Sequence, residues 1–512
     1  MVVEASSRRR FLGGASSLCA LSLAEPAQQQ AGQGEYDVLV WDSTPAGIAT
    51  AIAASRAGLR AAIVTEDKHV GGMQTSGLGN TNAGQRETVG GLAREFHHRI
   101  HKYYTNLYGA NSANVQACQN GFYFEPHVAE RVYLEWMREA GVACLSEEWI
   151  ESVEKNGPRL MAVRTARGNR IGARIFVDAS YEGDLLKLTG CSYHLGREAA
   201  SKYGEPLAGV RFPPERAGQA DRKLQAFDYR LCLTDVAGNR VPFAEPANYD
   251  PSDYFFQGAR LKHAPPQRLH QALPLNPMPN RKTDSRTGEW VGASWDYPEA
   301  GPAERKRIED AHRNYSAGYI WFLLQDAPLP APLREELSRW GLAKDEFTDN
   351  GNWPYHIYVR EGRRLAGDFV ITQQDVTERR FFEDGIALGN FYLDVHPVDM
   401  LVTHDMVVAE GGLGNVRVKP YEIPYRSLIP KRSEAVNLLV PVCLSASHIA
   451  FSTIRMEPVW MMLGHACGVA ASLALESGAS VQDVDGRLLR KRLAGDGQIV
   501  DARPFTRKWP FR

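Results

Sequence analysis

Tyr36-Asp37-Val38-Leu39-Val40-Trp41, followed by Asp42-Ser43-Thr44-Pro45-Ala46-Gly47, is the stretch on which the reading of this chain turns. The first part is a short apolar run of the kind a buried parallel strand needs. A polar turn follows, and Pro45 stands where a helix would begin, a position that tolerates a missing N–H and a fixed φ. Ala46 to Ala57 is alanine-rich, Gly58 offers a stop, and Leu59 to Val64 makes a second apolar run. Strand, turn, helix and strand within about thirty residues read as a βαβ unit, the opening of a doubly wound α/β sheet.

Further along, Val128 to Glu139 is patterned as a helix with Gly141 behind it. Arg170 to Val177 and Asn437 to Val442 read as strands, and Pro458 to Ser477 as a long helix ended by Gly478. Between 200 and 415 the βα rhythm is lost among prolines, aromatics and short polar runs, which marks an inserted α+β region. The division expected is 1–34 signal and linker; 35–85, 140–200 and 416–495 dinucleotide-binding domain; 86–139 and 201–415 substrate or cap domain; and 496–512 tail.

Composition narrows the function classes. The 512-residue chain is 44% hydrophobic and 23% charged, with 59 Lys+Arg against 60 Asp+Glu. A net charge of -1 offers nothing to nucleic acid, and no such partner is expected. The seven cysteines include no C-x-x-C pair, which speaks against structural zinc or an iron–sulfur cluster and leaves single thiols with at most one disulfide. At the N-terminus, Ser7-Arg8-Arg9-Arg10-Phe11-Leu12 precedes a modestly apolar run to Ala24, in the order of an export signal. The pattern resembles a twin-arginine (Tat) signal, against the alternative of a plain basic tail. The expectation is a periplasmic or otherwise extracytoplasmic protein that meets the Tat export machinery. No other stretch is expected to approach a membrane span.

In the dinucleotide fingerprint G-x-G-x-x-G, glycines let backbone N–H groups approach a pyrophosphate. Here the six positions are Asp42-Ser43-Thr44-Pro45-Ala46-Gly47, and one glycine remains. More specific are several blocks in fixed order. They are Thr44 to Ala49; His69-Val70-Gly71-Gly72-Met73-Gln74-Thr75-Ser76-Gly77-Leu78-Gly79; Phe124 to Glu130; Val177 to Leu185; Tyr358 to Arg364; and Leu444 to Ala450, running on to Arg455-Met456-Glu457-Pro458. With these blocks the chain resembles the bacterial FAD-dependent oxidoreductase family, whose flavin domain is related to that of glutathione-reductase-type flavoproteins, over about residues 36–495.

The resemblance implies a Rossmann-like FAD-binding domain, FAD as cofactor and a small-molecule substrate; it names neither that substrate nor the electron acceptor. It places Thr44, Pro45, Ala46, Gly47, Glu66, Gly71, Gly72, Met73, Thr75, Asp178, Ala179, Ser447 and Met456 along the cofactor. Two positions depart from the family pattern: Asp42 replaces a glycine, and Thr65 stands where a ribose-binding glutamate is expected, with Glu66 one residue later. They keep open a second function class, a non-catalytic binding protein with weakened FAD affinity.

His448 is the candidate general base, because imidazole titrates near neutrality. Arg455 is a candidate for an anionic substrate or the reduced flavin, with Glu457 as its ion-pair partner. Arg360, Arg363 and Arg364 read either as an anion site or as a solvated or inter-domain face. Asp394, His396, Asp399 and His404 have metal-ligating types without a metal-ligating spacing, and no metal is expected. His69 is a candidate for covalent flavin attachment. From the N-terminal pattern, replacing Arg8 and Arg9 by Lys is expected to leave the protein in the cytoplasm, as read by cell fractionation; unchanged export of that variant overturns the assignment.

Overall fold

A computed structural model describes residues 35–403 and 406–507. The expected export signal and linker (1–34), His404 and the last residues of the tail lie outside the described residues. The opening βαβ unit forms where expected, with slightly shorter elements: β1 (Tyr36–Trp41), α1 (Pro45–Arg56) and β2 (Ala61–Val64). Then come α2 (Gly91–Tyr108), α3 (Pro126–Ala140), β3 (Ala143–Leu145), β4 (Ile150–Asn156), β5 (Arg159–Thr165) and β6 (Arg170–Asp178). Towards the C-terminus lie β7 (Leu438–Leu439), α4 (His448–Ile454) and α5 (Glu457–Ser477). The expected strand from Asn437 to Val442 pairs only over Leu438–Leu439.

The strands form one sheet in the order β3-β2-β1-β6-β5-β4, with β7 also on β6. β6 serves two ladders. Its later half runs parallel to β1 and β7, while its first residues pair antiparallel with β5, which continues to β4. Register sets the site. Trp41 lies opposite both Val64 and Asp178, so β1, β2 and β6 end along one edge. The segments leaving these ends border a common crevice, the place where open α/β sheets bind ligands.

Between β6 and β7 the chain builds a five-stranded antiparallel sheet, in the order Asn276–Met278, Lys282–Arg286, Arg230–Thr234, Gly341–Ala343, Arg240–Pro242, beside the long helix Pro302–Gln325. Helices α2 and α3 pack on α1, and α2 also packs on α5, so they cover the dinucleotide-binding layer.

Helix α5 is long and apolar enough to cross a membrane by length and composition, contrary to the expectation that nothing beyond the signal would be. However, 94% of its apolar window is buried inside the protein. It is a core helix, polar on no face because it is enclosed on all sides. It lies against α1, and Gly464 and Gly468 permit the approach: a Cβ at Gly464 would collide with the Ala46 carbonyl, and one at Gly468 with Ala53 and the Thr50 carbonyl. The six described cysteines are free thiols, so no disulfide forms among them.

Packed backbone leaves no room for a methyl group here. Gly464→Ala and Gly468→Ala are each expected to lower unfolding stability by about 1–3 kcal/mol. Gly495→Ala, where an added Cβ meets nothing, is expected to be neutral or slightly stabilising. Denaturant titration of the three variants checks the contrast.

Candidate functional site

The crevice begins with the turn after β1. Thr44 caps α1: its Oγ1 accepts from Gly47 N at 3.2 Å and donates to the Ala179 carbonyl at 2.8 Å, tying the turn to the end of β6. Pro45, Ala46 and Gly47 form the first turn of α1 and are buried. Asp42 has φ +76°, a left-handed conformation that glycine adopts freely and aspartate with strain. Its Oδ1 accepts from Ser43 N at 2.6 Å and from Thr65 Oγ1 at 3.2 Å. The two departures from the family pattern are therefore bonded to each other, and Asp42 is held against the end of β2.

Asp42, Glu66, Asp67 and Glu182 all face a cavity of about 240 Å³ at this edge. Burial first, and then mutual repulsion, push Asp42 well above its ordinary value and Glu182 to about 7, with Arg305 opposing the rise; Glu66, at an exposed position, is raised by the same neighbouring acids. Asp67 is raised by burial while His356 and His69 counteract it. Arg305 and Lys306 enter from the inserted region, but Arg305 is paired with Asp184 at 2.7 Å and Lys306 with Asp310 at 2.6 Å.

Asp178 and Ala179 sit at the end of β6. The Asp178 carboxylate accepts from Ser180 N, Ser180 Oγ and Leu186 N at 3.1, 2.7 and 2.6 Å, and burial holds it at about 6. Ala179 N donates to the Trp41 carbonyl. Asp178 therefore organises the chain after β6, with both its oxygens engaged.

In the second glycine block, Gly71 and Gly72 have φ of +104° and +53°. Side chains there would collide with Thr75, Tyr133 and Tyr181, so the pair serves a turn packed by tyrosines. Thr75 Oγ1 donates within that turn to the Gly72 carbonyl at 3.1 Å. Tyr181 Oη accepts from Met73 N at 3.0 Å and donates to Glu457 Oε1 at 2.7 Å. Glu457 is buried, and burial raises it to about 8 against the opposing Tyr181 bond. Its partner is a tyrosine, which overturns the expected pairing with Arg455. Arg455 instead bonds Asp394 Oδ2 at 2.9 Å and Tyr358 Oη at 3.3 Å.

His448 opens α4. Its Nδ1 lies 2.8 Å from Glu361 Oε1, and its backbone N donates to Glu198 at 3.0 Å. Burial would raise Glu361, but His448 and Arg364 bring it below the ordinary range. Ser447 caps α4 by accepting from Ala450 N at 3.1 Å and donates to Glu205 at 2.6 Å. Met456 is buried at the α4–α5 junction.

The basic cluster is not a solvated face. Arg360, Arg363 and Arg364 are buried, and their partners come from distant segments. Arg360 pairs with Asp228 at 3.0 Å and Glu289 at 3.4 Å; Arg363 with Asp184 and Glu299 at 3.0 and 2.7 Å; and Arg364 with Glu198 at 2.7 Å and with Glu361. Charges this deeply buried need partners, and the partners lie too far off in sequence to be read from spacing. His69 has both ring nitrogens on carboxylates, Glu130 at 2.8 Å and Asp349 at 3.1 Å, and stacks on Tyr355. No ring nitrogen is left for a covalent flavin bond in this arrangement.

Asp394 and His396 do come together, at 3.2 Å, with Glu289 on the other ring nitrogen, while Asp399 pairs with Lys223. Glu125, His127 and Glu346 offer ligand atoms within 4.8 Å of one another, but Lys282 Nζ stands 2.7 Å from Glu125 and 2.6 Å from Glu346, where a cation would go. Tyr181, Glu361, Glu198 and Glu289 were missed as site residues. The first two stood inside blocks already singled out; the acids Glu198 and Glu289 carried no local signal.

Several solved structures match parts of the chain at low identity. Anhydrotetracycline hydroxylase OxyS from Streptomyces rimosus is 14% identical over 32% of this chain and 36% of its own, with a TM-score of 0.23. For 3-ketosteroid-Δ4-(5α)-dehydrogenase from Rhodococcus jostii the figures are 14%, 31%, 50% and 0.19, and for thioredoxin reductase from Streptococcus pyogenes 20%, 29%, 35% and 0.18. The match thus spans half or less of each of these chains. Among curated proteins none matches. Residues 37–493 match the model of one family, described as FAD dependent oxidoreductase. With that match across most of its length, on a Rossmann-like α/β fold, the chain belongs to the FAD dependent oxidoreductase family, whose cofactor is FAD.

Proposed function

We propose that this oxidoreductase acts on a small organic molecule outside the cytoplasmic membrane, with the flavin end of FAD held between the second glycine block and the α4–α5 junction, as in a glutathione-reductase-type flavin domain. One observation carries the reading: four buried polar atoms without partners, Gln74 Nε2, His448 Nε2, Arg455 Nε and Glu457 Oε2, lie on those two blocks. Each orphaned polar group costs about 1–3 kcal/mol, so a set of four argues for a polar group that completes them. The set suits a flavin edge, which presents several acceptors and one N–H donor.

When bound, FAD supplies two-electron chemistry that no side chain here can perform. The chain's own groups then have distinct tasks. Glu361 holds the proton on His448 Nδ1, which leaves Nε2 as an acceptor able to take a substrate proton. Glu457, neutral near pH 7 because of its burial, offers Oε2–H as a donor while Tyr181 occupies Oε1. Arg455 brings positive charge beside Tyr358, and the N-terminal end of α5 adds its own partial charge.

The phosphate end fits less well. A pyrophosphate at the turn after β1 faces Asp42, Glu66, Asp67 and Glu182, and is tolerated best while those acids are protonated. Their raised values give the sign. FAD affinity is highest below about pH 6 and falls as pH rises through about 7, where Glu182 ionises. A carboxylate about 6 Å from a phosphate charge repels it by about 3 kcal/mol at an effective dielectric near 20, before screening. Asp42→Gly, which also relieves the positive φ, is therefore expected to tighten FAD about ten- to a hundredfold at pH 8. Fluorimetric titration of apoprotein with FAD, across pH and in both variants, measures this; equal affinities show that Asp42 is neutralised by its bond to Thr65.

The reading as a whole is tested on protein purified from a host that exports folded proteins. Flavin absorbance and release of FAD on denaturation are expected. Glu457→Leu should lose flavin while keeping its far-UV spectrum; retention of flavin by that variant removes Glu457 from the site. His448→Gln is expected to keep the flavin and to slow its reduction by substrate about 10²-fold. If His448→Gln unfolds, its bond to Glu361 is structural.

A further inference from the structure

Outside the FAD crevice, the inserted region encloses a cavity of about 970 Å³, at the upper end of the size range of small-molecule sites. Its walls come from Phe255–His263, from the segments around 270–274 and 286–291, from the helix Pro302–Gln325 at Tyr319, and from the hairpin of Asp399–Thr403 and Met406–Glu410. Much of the lining is apolar, including Phe256, Val291, Tyr319 and Met400.

Its charges are unevenly matched. Asp228 and Glu289, the carboxylates on the wall, are already engaged: Asp228 with Arg360 at 3.0 Å, and Glu289 with His396 and, at 3.4 Å, with Arg360. His396 also meets Asp394, which Arg455 holds at 2.9 Å. Carboxylates therefore alternate with arginine and histidine side chains from the cavity wall back to the α4–α5 junction. Arg260 and Arg286 are less fully matched. Both line the cavity; Arg286 helps to lower the Glu289 carboxyl and Arg260 interacts with Tyr319, but among the described residues neither forms an ion pair with a carboxylate oxygen within 4.0 Å. A second observation points to a ligand. Asp228 is 1% exposed, yet its Oδ2, on the same wall, has no hydrogen-bond partner. A buried acceptor left open beside a cavity awaits a donor from whatever enters.

We propose that this cavity binds an organic acid, its carboxylate on Arg260 and Arg286, its apolar body against Phe256, Val291, Tyr319 and Met400, and an O–H or N–H group reaching Asp228 Oδ2. Guanidinium forks match a carboxylate, and two of them outweigh wall carboxylates whose charge Arg360 offsets in part. The same two wall carboxylates penalise a phosphate dianion more than a carboxylate monoanion, which selects the acid. The alternating ion pairs place this cavity one Asp394 carboxylate away from Arg455, on the side where the flavin is proposed to lie. This assignment names a substrate class for the function proposed above, and rests on that reading only in calling the acid a substrate.

The test uses the FAD-loaded full chain and three probes with one ring system: 2-naphthoate, 2-naphthyl phosphate and 2-naphthylmethanol. Calorimetric titration is expected to give 2-naphthoate at least tenfold tighter binding than the alcohol, and tighter binding than the phosphate. Arg260→Gln and Arg286→Gln, both on exposed positions, are each expected to weaken the acid about five- to tenfold and to leave the alcohol unchanged. Equal affinity for acid and alcohol, or acid binding untouched in both variants, overturns the site. A preference for the phosphate overturns the carboxylate assignment. Acid binding that depends on both arginines but leaves the flavin spectrum unperturbed supports the anion site and counts against its place beside the flavin, so the two readings fail separately.

Discussion

Three arginines within five residues, all withdrawn from water, impose the constraint that organises this molecule. Arg360, Arg363 and Arg364 must each find carboxylates, because an unpaired buried guanidinium is far more costly than a paired one. The acids come from the segment after β6 (Asp184), from the connection that follows it (Glu198), from the inserted region (Asp228, Glu289, Glu299) and from the same loop (Glu361). One short segment thereby clamps the inserted sheet to the dinucleotide-binding layer. The clamp also reaches α4, since Glu361 meets both Arg364 and His448. Truncating one partner in such a network leaves a charge stranded, a loss of about 3–5 kcal/mol.

The crevice shows a different balance. In the usual dinucleotide turn, glycines make room for phosphate and leave backbone N–H groups to meet it. Here Asp42 adopts the backbone conformation of a glycine and bonds Thr65, the other residue out of pattern. The pair forms a self-consistent local structure, one side chain supplying the donor the other needs. Its consequence is a β1 turn crowded with acids, facing arginine and lysine side chains that already have partners. The second glycine block and the segment from His448 to Glu457 are the reverse: several of their polar atoms are buried and short of partners.

The α1–α5 contact explains why the C-terminal segment completes the first domain. Gly464 and Gly468 let α5 lie against α1, which brings the α4–α5 junction to the edge where β1, β2 and β6 end. His448, Arg455 and Glu457 owe their place at this edge to glycines more than a full helical turn away. A helix with such a position is enclosed and becomes apolar all round, which is why its composition resembles that of a membrane span.

By itself the sequence determined the local architecture: the opening βαβ unit from its apolar runs and Pro45, the alanine- and glycine-rich helices, and the family blocks in their order. These follow from backbone preference and short-range periodicity, which act within a few residues. Tertiary structure alone decided the rest. It chose for the arginine cluster the buried inter-domain face over the anion site and the solvated face, gave Glu457 to Tyr181 in place of Arg455, joined Asp42 to Thr65, and set His396 between Glu289 and Asp394. Each of these is a pairing between groups drawn from separate elements. Side-chain charge carries no address in sequence, and its partner is chosen only when the packed interior removes water and leaves one neighbour within reach.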